Sequence, residues 1–214
     1  MTASGRLSAG GQIETSGWED CNFWVFDMDG TLTVAVHDFE EIRRELGLPV
    51  GEPILEALEK LPRDRASVLH DRLDEIELQL AREAQAQDGA RELLTFLGDN
   101  NSRSGIVTRN GYDIALETLK ACGLAEFFET GHIISRECSA PKPSPDGVCK
   151  LLALWDAAPN DAVMIGDYLF DLQAGRGAGT ATIFLDVHGT GEWRDHADLT
   201  VRGLGEIKDM LLRS

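Results

Sequence analysis

Residues 23–31 read Phe-Trp-Val-Phe-Asp-Met-Asp-Gly-Thr, and this stretch decides the fold. Its four consecutive apolar residues predict a strand over 22–26 that is buried on both faces of a parallel sheet. The polar, turn-forming segment that follows ends the strand and leaves Asp27 and Asp29 just beyond its carboxyl end. Because open parallel sheets bind ligands beyond that end of their strands, these two aspartates are the first candidate site residues.

Strand and helix patterns alternate from residue 88 onward. Such alternation predicts an α/β fold with a Rossmann-like parallel sheet, helices on both faces and right-handed crossovers. Further strands are predicted at 104–107, 132–135, 162–165, 181–185 and 199–201, and helices at 89–97, 112–122, 146–154, 169–178 and 204–212.

The segment before residue 88 has a helical pattern instead. Residues 38–87 carry one apolar stripe at helical spacing and no strand pattern, which predicts a small all-helical unit inserted after the first strand. The stripe consists of Leu69, Leu73, Ile76 and Leu80. The predicted organisation is a flexible, Gly/Ser/Thr-rich arm over 1–20, an α/β core over 21–33 and 88–214, and the helical insertion over 34–87.

Composition limits the partners and the compartment. The chain of 214 residues has a formal net charge of −17, and such a surface repels nucleic acid and anionic membranes, so neither is expected as a partner. The four cysteines form no Cys-x-x-Cys pair and no zinc-binding spacing. There is no apolar signal segment at the start and no apolar run that would span a bilayer. A cytoplasmic location is therefore expected.

Polar side chains also end the later predicted strands. Because the carboxyl ends of parallel strands share one edge of the sheet, these side chains are expected to converge with Asp27 and Asp29. Three carboxylates at one point repel one another unless a cation lies between them, and oxygen-only ligands favour Mg²⁺. The further candidates are Thr108, Lys142, Asp167 and Asp171.

A phosphate group fits this set of residues. Mg²⁺ often completes its octahedral shell with a substrate phosphate, and Lys142 and Thr108 are expected to bind the remaining phosphate oxygens. Backbone N–H groups of Met28, Asp29 and Gly30 are expected to add to the phosphate site, since glycine permits the tight backbone that such a loop needs.

Four segments together resemble the motifs of the haloacid dehalogenase superfamily. They occur in the order of that family's four motifs and at the same element boundaries, and the resemblance covers residues 22–214. It points to the branch that contains phosphoglycolate phosphatase and β-phosphoglucomutase. The segments are Asp27-Met28-Asp29-Gly30-Thr31-Leu32, Gly-Ile-Val-Thr ending at Thr108, Pro-Lys-Pro-Ser-Pro-Asp-Gly around Lys142, and Gly166-Asp167-Tyr168-Leu169-Phe170-Asp171.

The resemblance implies a role for each aspartate of the first motif. Asp27 attacks phosphorus and forms an aspartyl-phosphate, and Asp29 protonates the leaving oxygen before it activates water. Mg²⁺ is held by Asp27, the backbone carbonyl of Asp29 and Asp167. Because the halide-releasing members lack an acid at the position of Asp29, this residue favours phosphate esters.

The remaining motif residues bind and orient. The resemblance implies that Thr108 and Lys142 stabilise the transferring phosphoryl group, and that Asp171 orients either Lys142 or the water molecules on the metal. Arg109 departs from the family pattern. Two roles stay open for it, contact with the substrate phosphate or a salt bridge that faces away.

In this family, a helical insertion after the first motif is a cap that covers the site and selects the substrate. His37 either faces the site or lies in a solvent-exposed linker. Arg43 either binds an anionic substrate tail or pairs with neighbouring glutamates. The small size of the cap suggests a small phosphomonoester.

The predicted function is a Mg²⁺-dependent phosphatase for a small phosphorylated metabolite, acting as a monomer or homodimer. One alternative is a sugar phosphomutase similar to β-phosphoglucomutase, which has the same aspartate pair. A phosphonate-cleaving enzyme needs a cap lysine, and the one candidate, Lys60, sits among glutamates, which argues against this alternative. A catalytically silent binding protein on the same fold is the alternative of another class. The presence of Asp27, Asp29 and Asp167 argues against it.

Overall fold

The computed structural model describes residues 17–35 and 39–213. Within them, the strands are β1 Phe23–Phe26, β2 Arg103–Val107, β3 Ile133–Ile134, β4 Ala162–Gly166, β5 Ala181–Leu185 and β6 Leu199–Val201. The α-helices are α1 Phe39–Leu46, α2 Ile54–Glu59, α3 Arg63–Glu83, α4 Ala90–Asp99, α5 Tyr112–Ala121, α6 Asp146–Trp155, α7 Leu169–Ala178 and α8 Leu204–Leu211.

The six strands form one parallel sheet in the order β3-β2-β1-β4-β5-β6. β1 lies near the centre, where Phe26 pairs with Ile106 of β2 on one side and with Ile165 of β4 on the other. The chain runs outward from β1 to β3 and then crosses back to β4, so the strand order reverses beside β1. The predicted Rossmann-like fold is confirmed, and β1 leads Asp27 to the point where such sheets bind ligands.

Helices cover both faces of the sheet, which explains the unbroken apolar run of β1. Successive side chains of a strand point to opposite faces. Trp24 and Phe26 enter the core that contains residues of α4, α5 and α8, whereas Val25 enters the core that contains residues of α6 and α7. All three are fully buried. A strand with one solvated face would alternate apolar and polar residues instead.

Helices α1, α2 and α3 share a small core of their own. Leu58 and Leu73 are its most buried members, and Leu69, Ile76 and Leu80 of the predicted stripe pack against it. We call residues 39–83 the helical segment. α3 runs along α5, which places the segment against the α/β core.

The chain leaves the core before the helical segment and rejoins it afterwards at the same place. Thr33 and Ala86 form an antiparallel bridge, and the Gln87 N–H donates to the Leu32 carbonyl at 2.9 Å. The prediction of helix up to residue 87 is therefore wrong at this end. α3 ends at Glu83, because the residues that follow satisfy backbone groups by pairing with the chain after β1.

Trp18 corrects the predicted extent of the N-terminal arm. Residues 1–16 of that prediction lie outside the described residues. Residues 18–20 form one turn of 3₁₀ helix, and Trp18 is buried, with its ring edge-on to Trp24 at 6.4 Å between centroids. Residues 17–20 are therefore part of the α/β unit, because the buried indole ring of Trp18 packs against β1.

The cytoplasmic location stays a prediction, and two observations bear on it. Among the described residues, no helix combines the length and the apolar character needed to cross a membrane. The four cysteines of the chain are all free thiols.

Candidate active site

The loop after β1 is a tight turn. The Met28 carbonyl accepts the backbone N–H groups of Leu32 at 2.9 Å and Thr33 at 3.0 Å, which folds the loop back on itself. The Asp27 N–H still donates to the Ile165 carbonyl at 2.9 Å. The carboxylate of Asp27 is therefore held at the edge of the sheet by backbone hydrogen bonds on both sides of it.

Two glycines allow the aspartates that follow β4 to approach this loop. Gly30 has a φ of +85°, and a Cβ on it would lie 2.3 Å from Asp167 Oδ2. A Cβ on Gly166 would lie 2.1 Å from the Cβ of Asp171. The Thr31 hydroxyl donates to Asp167 Oδ1 at 3.1 Å and fixes that carboxylate. Glycine is thus required at both positions by the close approach of the carboxylates.

Three carboxylates and one lysine form the centre of the site. Carboxylate oxygens of Asp27, Asp167 and Asp171 lie within 4.8 Å of one another. Lys142 Nζ forms a salt bridge with Asp27 and a second one, of 2.7 Å, with Asp171. The Lys142 side chain is only 2% exposed, so water screens these pairs weakly. Four predicted site residues therefore meet at one point.

The pKa values reflect burial first and an excess of negative charge second. Burial, with repulsion from Asp27, raises the pKa of Asp167 to about 8. Burial also raises the pKa of Asp171 to about 6, against the attraction of Lys142, and raises the pKa of Asp27. Burial alone lowers the pKa of Lys142, but attraction to Asp171 and Asp27 outweighs it and raises that pKa. One lysine cannot neutralise three carboxylates, and this oxygen-only donor set fits a hard divalent cation.

Asp29 is held by a residue that sequence reasoning missed. Asn110 Nδ2 donates to Asp29 Oδ2 at 2.7 Å. The backbone N–H of Asn110 donates to Thr108 Oγ1 at 3.1 Å, and Thr108 is buried. These contacts connect the end of β2 to the loop after β1. The one signal in the sequence was an asparagine two positions after a strand-end threonine.

A cavity of about 410 Å³ opens onto these residues between the core and the helical segment. The core side of the cavity is mainly polar and charged, with the aromatic rings of Tyr168 and Phe170 beside it, whereas the helical segment contributes mainly apolar side chains. The core residues include Asp27, Asp29, Thr108, Lys142, Asp167 and Asp171. The helical segment contributes Phe39, Arg43, Ile54, Leu55, Leu73 and Glu77.

Arg109 combines parts of the two roles that the sequence left open. It forms a salt bridge with Glu56 of α2 at 2.7 Å, a partner that sequence reasoning did not find because it lies 53 residues away. The salt bridge does not face away from the site, since Arg109 also lines the cavity. Contact with a substrate phosphate stays a prediction.

Of the two residues predicted to select the substrate, Arg43 and His37, the structure describes Arg43. Arg43 lines the cavity and also pairs with Glu40 Oε1 at 3.1 Å, so it has the glutamate partner of one prediction and the cavity position that the other requires. Its Nη1 donates to the Phe39 carbonyl at 3.1 Å. His37 lies outside the described residues, and its role stays a prediction.

The fold and the site define an α/β enzyme with buried aspartates and a lysine at the switch point of a parallel sheet. The chain belongs to the haloacid dehalogenase-like hydrolase family, whose sequence model matches residues 34–185. The predicted family membership and the assignment as a hydrolase are thereby confirmed.

Relatives in several organisms support this assignment. An uncharacterized hydrolase of Saccharomyces cerevisiae is 31% identical over 195 residues, which cover 87% of this chain and 89% of that protein. A protein of Listeria monocytogenes named pyrophosphatase PpaX is 30% identical over 174 residues, covering 74% of this chain and 80% of its own. A HAD family hydrolase from Deinococcus radiodurans, solved with bound phosphate and sodium, superposes with a TM-score of 0.69. It is 21% identical, covers 91% of this chain and 96% of its own, and supports the fold alone.

Proposed function

We propose that this protein is a Mg²⁺-dependent phosphatase that hydrolyses a small phosphomonoester through an aspartyl-phosphate on Asp27. The observation that carries the proposal is the arrangement around Asp27. Its carboxylate follows the central strand, is paired with Lys142, and lies within 4.8 Å of Asp167 and Asp171 at the base of the cavity. A carboxylate held in this way is suited to attack an electrophile that enters from the cavity.

In the first step, a carboxylate oxygen of Asp27 forms a bond to phosphorus. The bond between phosphorus and the leaving oxygen breaks, and Asp29 gives its proton to that oxygen, so that the product leaves as a neutral alcohol. Asn110 fixes the orientation of the Asp29 carboxyl group for this transfer. The phosphoryl group remains on Asp27.

In the second step, Asp29 acts as a base. It takes a proton from a water molecule, whose oxygen forms a bond to phosphorus while the bond between phosphorus and Asp27 breaks. Inorganic phosphate leaves, and the Asp27 carboxylate is regenerated. The same residue serves both steps because the first step leaves it ionised.

Two side chains meet the charge of the phosphoryl group, and a third orients one of them. Lys142 and the Thr108 hydroxyl stabilise its oxygens, and Asp171 keeps the lysine oriented through the 2.7 Å salt bridge. We infer that Asp27, Asp167 and the Asp29 carbonyl hold Mg²⁺. When bound, Mg²⁺ acts as a Lewis acid that offsets repulsion between the nucleophile and the phosphate.

We infer that the helical segment acts as the cap of this enzyme. It contributes most of the apolar lining of the cavity, which excludes water from the reacting groups and limits the size of the leaving group. The volume of about 410 Å³ favours a small phosphorylated metabolite. The name of the Listeria relative adds inorganic pyrophosphate to the compounds worth testing. A cytoplasmic location and a monomeric or dimeric state complete the proposal.

A panel of phosphorylated compounds tests the proposed function. The panel contains an aryl phosphate, small metabolite phosphates, sugar phosphates and pyrophosphate, each assayed with Mg²⁺ and with EDTA. We expect phosphate release that needs Mg²⁺ and that EDTA removes. No turnover of any compound over the range from about pH 5 to about pH 9 would overturn the proposal. Isomerisation of a sugar phosphate without phosphate release would replace it with the mutase alternative.

Mg²⁺ should stabilise the protein more at alkaline than at acidic pH. In the metal-free protein the pKa values of Asp167 and Asp171 are about 8 and about 6, above those of the unfolded chain. The folded state therefore binds more protons, and its stability falls as pH rises from the unfolded pKa values, about 4, through the folded ones. Mg²⁺ bound to Asp167 would take the place of the proton on that carboxylate. Saturation of about a hundredfold over Kd contributes about 2.7 kcal/mol, which is an increase in Tm of roughly 5–10 °C.

Thermal unfolding at about pH 5 and about pH 8, with Mg²⁺ or with NaCl of equal ionic strength, measures this effect. The increase in Tm should be largest with Mg²⁺ at the higher pH. Asp167→Asn should lose most of it, because the variant removes one proposed ligand. An equal increase at both pH values would contradict the proposed competition between protons and Mg²⁺.

A further inference from the structure

Arg109 contacts three parts of the molecule at once. Its Nη2 lies 2.7 Å and 2.9 Å from the two carboxylate oxygens of Glu56 in α2. Its Nη1 donates to the backbone carbonyl of Lys142. Its guanidinium carbon lies 5.3 Å from the centre of the Phe170 ring in α7. One side chain thus connects the helical segment to the loop that carries the lysine of the site.

The surroundings of this ion pair distinguish it from an ordinary surface contact. Exposed pairs contribute little, because water screens them and the side chains lose freedom. The side chain of Arg109 is 22% exposed and that of Glu56 is 35% exposed. The carbonyl of Lys142 and the ring of Phe170 further restrict the planar guanidinium. Glu56 and the Lys142 carbonyl therefore contact the same restricted guanidinium group.

A second arginine keeps the helical segment docked without Glu56. Arg136 Nη1 donates to Glu77 Oε2 in α3 at 2.9 Å and to the backbone carbonyl of Arg109 at 3.4 Å. The backbone N–H of Arg136 donates to the Asn110 carbonyl at 3.1 Å. Removal of the Glu56 charge leaves these contacts in place. A Glu56 variant consequently tests the contact with Arg109 and not the docking of the whole segment.

We propose that Glu56 is a positioning residue which, through Arg109, fixes the Lys142 loop in the geometry that lets the lysine reach Asp27 and the substrate phosphate. We call Glu56, Arg109 and the Lys142 carbonyl the Glu56 latch. The proposal rests on the proposed function for the role of Lys142. It makes the phosphate site depend on the docking of α2, because the lysine loop loses one of its supports when Glu56 moves away.

The Glu56 latch also has a consequence for substrate selection. Glu56 neutralises Arg109, so Arg109 supports the lysine loop and does not recruit an anionic leaving group. Loss of the latch should therefore lower kcat for every phosphomonoester to a similar extent, with a smaller change in KM. A residue that reads the leaving group would instead change KM for some substrates and leave others unaffected.

A double-mutant cycle tests the latch. We expect Glu56→Gln and Arg109→Gln each to lower kcat roughly tenfold, and the double variant to be no worse than Arg109→Gln alone, because both remove the same contact. Glu45→Gln and Arg72→Gln are the matched controls. They break an exposed Arg–Glu pair with a 3.0 Å contact within the helical segment, away from the cavity lining. Both controls should retain the wild-type kcat.

Hydrogen exchange of the peptide that covers residues 136–145 gives a readout that needs no turnover. Glu56→Gln should speed exchange in this peptide, and Glu45→Gln should not. Unchanged exchange together with an unchanged kcat would overturn the latch, as would a loss confined to substrates with an anionic leaving group. Faster exchange in Glu56→Gln while the wild type hydrolyses nothing would support the latch and overturn the proposed function, so the two failures are distinguishable.

Discussion

Asp27→Asn should lower phosphate release by roughly 10⁴-fold or more, the scale seen when a covalent nucleophile is removed. The amide keeps the shape of the carboxylate but does not form a stable bond to phosphorus. The fold should persist, since Lys142 retains its 2.7 Å salt bridge with Asp171 and one of three repelling carboxylates is gone. Initial rates of phosphate release and thermal unfolding measure the two effects.

Asp195→Asn is the control for this variant. Asp195 lies 3.8 Å from Arg194, and both side chains are exposed. The substitution removes the same charge from an aspartate outside the cavity lining. Activity should stay within about twofold of the wild type, since exposed pairs contribute little. Turnover by Asp27→Asn at a rate close to that of Asp195→Asn would refute the nucleophile assignment.

Lys142→Met should reduce both stability and activity. Methionine fills most of the lysine volume but leaves Asp27 and Asp171 without their buried cation. Breaking a buried ion pair in this way costs about 3–5 kcal/mol. Loss of the positive charge that stabilises the transferring phosphoryl group should lower kcat by roughly 10²–10³-fold.

The loss of stability in Lys142→Met should depend on pH. Without the lysine the pKa values of the carboxylates rise further, so the folded state holds its protons to higher pH. The loss should be smaller at about pH 5 than at about pH 8, because holding protons on these carboxylates costs more free energy as the pH rises above their unfolded pKa values. Urea unfolding at both pH values measures it. The exposed Lys150→Met is the control, and an equal loss of stability in both variants would contradict a special role for the buried lysine.

The largest structural features followed from local sequence patterns. The apolar run before Asp27 predicted a strand buried on both faces, and the structure places Trp24 and Val25 in the two opposite cores. The strand ends predicted where Asp167 would lie, because parallel strands bring their carboxyl ends to one edge. Periodicity also predicted the helices of the inserted segment, although α3 ends before residue 87.

Other features became visible only when distant segments met. The role of Asp171 was left open between Lys142 and the metal, and its 2.7 Å salt bridge with Lys142 depends on how α7 begins after β4. The contact between Asn110 and Asp29 joins residues that are 81 positions apart. No local pattern reports such a distance, since it depends on the register of β1 against β2.

The sequence by itself determined the parallel α/β fold, the family and the set of strand-end residues around Asp27. Hydrophobic periodicity and strand-end chemistry are local properties, so they can be read along the chain. Only the tertiary structure decided which partners individual side chains have: Glu56 for Arg109, Asn110 for Asp29, and the core for Trp18. These partnerships depend on side-chain direction and on the docking of elements that are far apart in the chain, and the energy of each is realised only after the elements have packed.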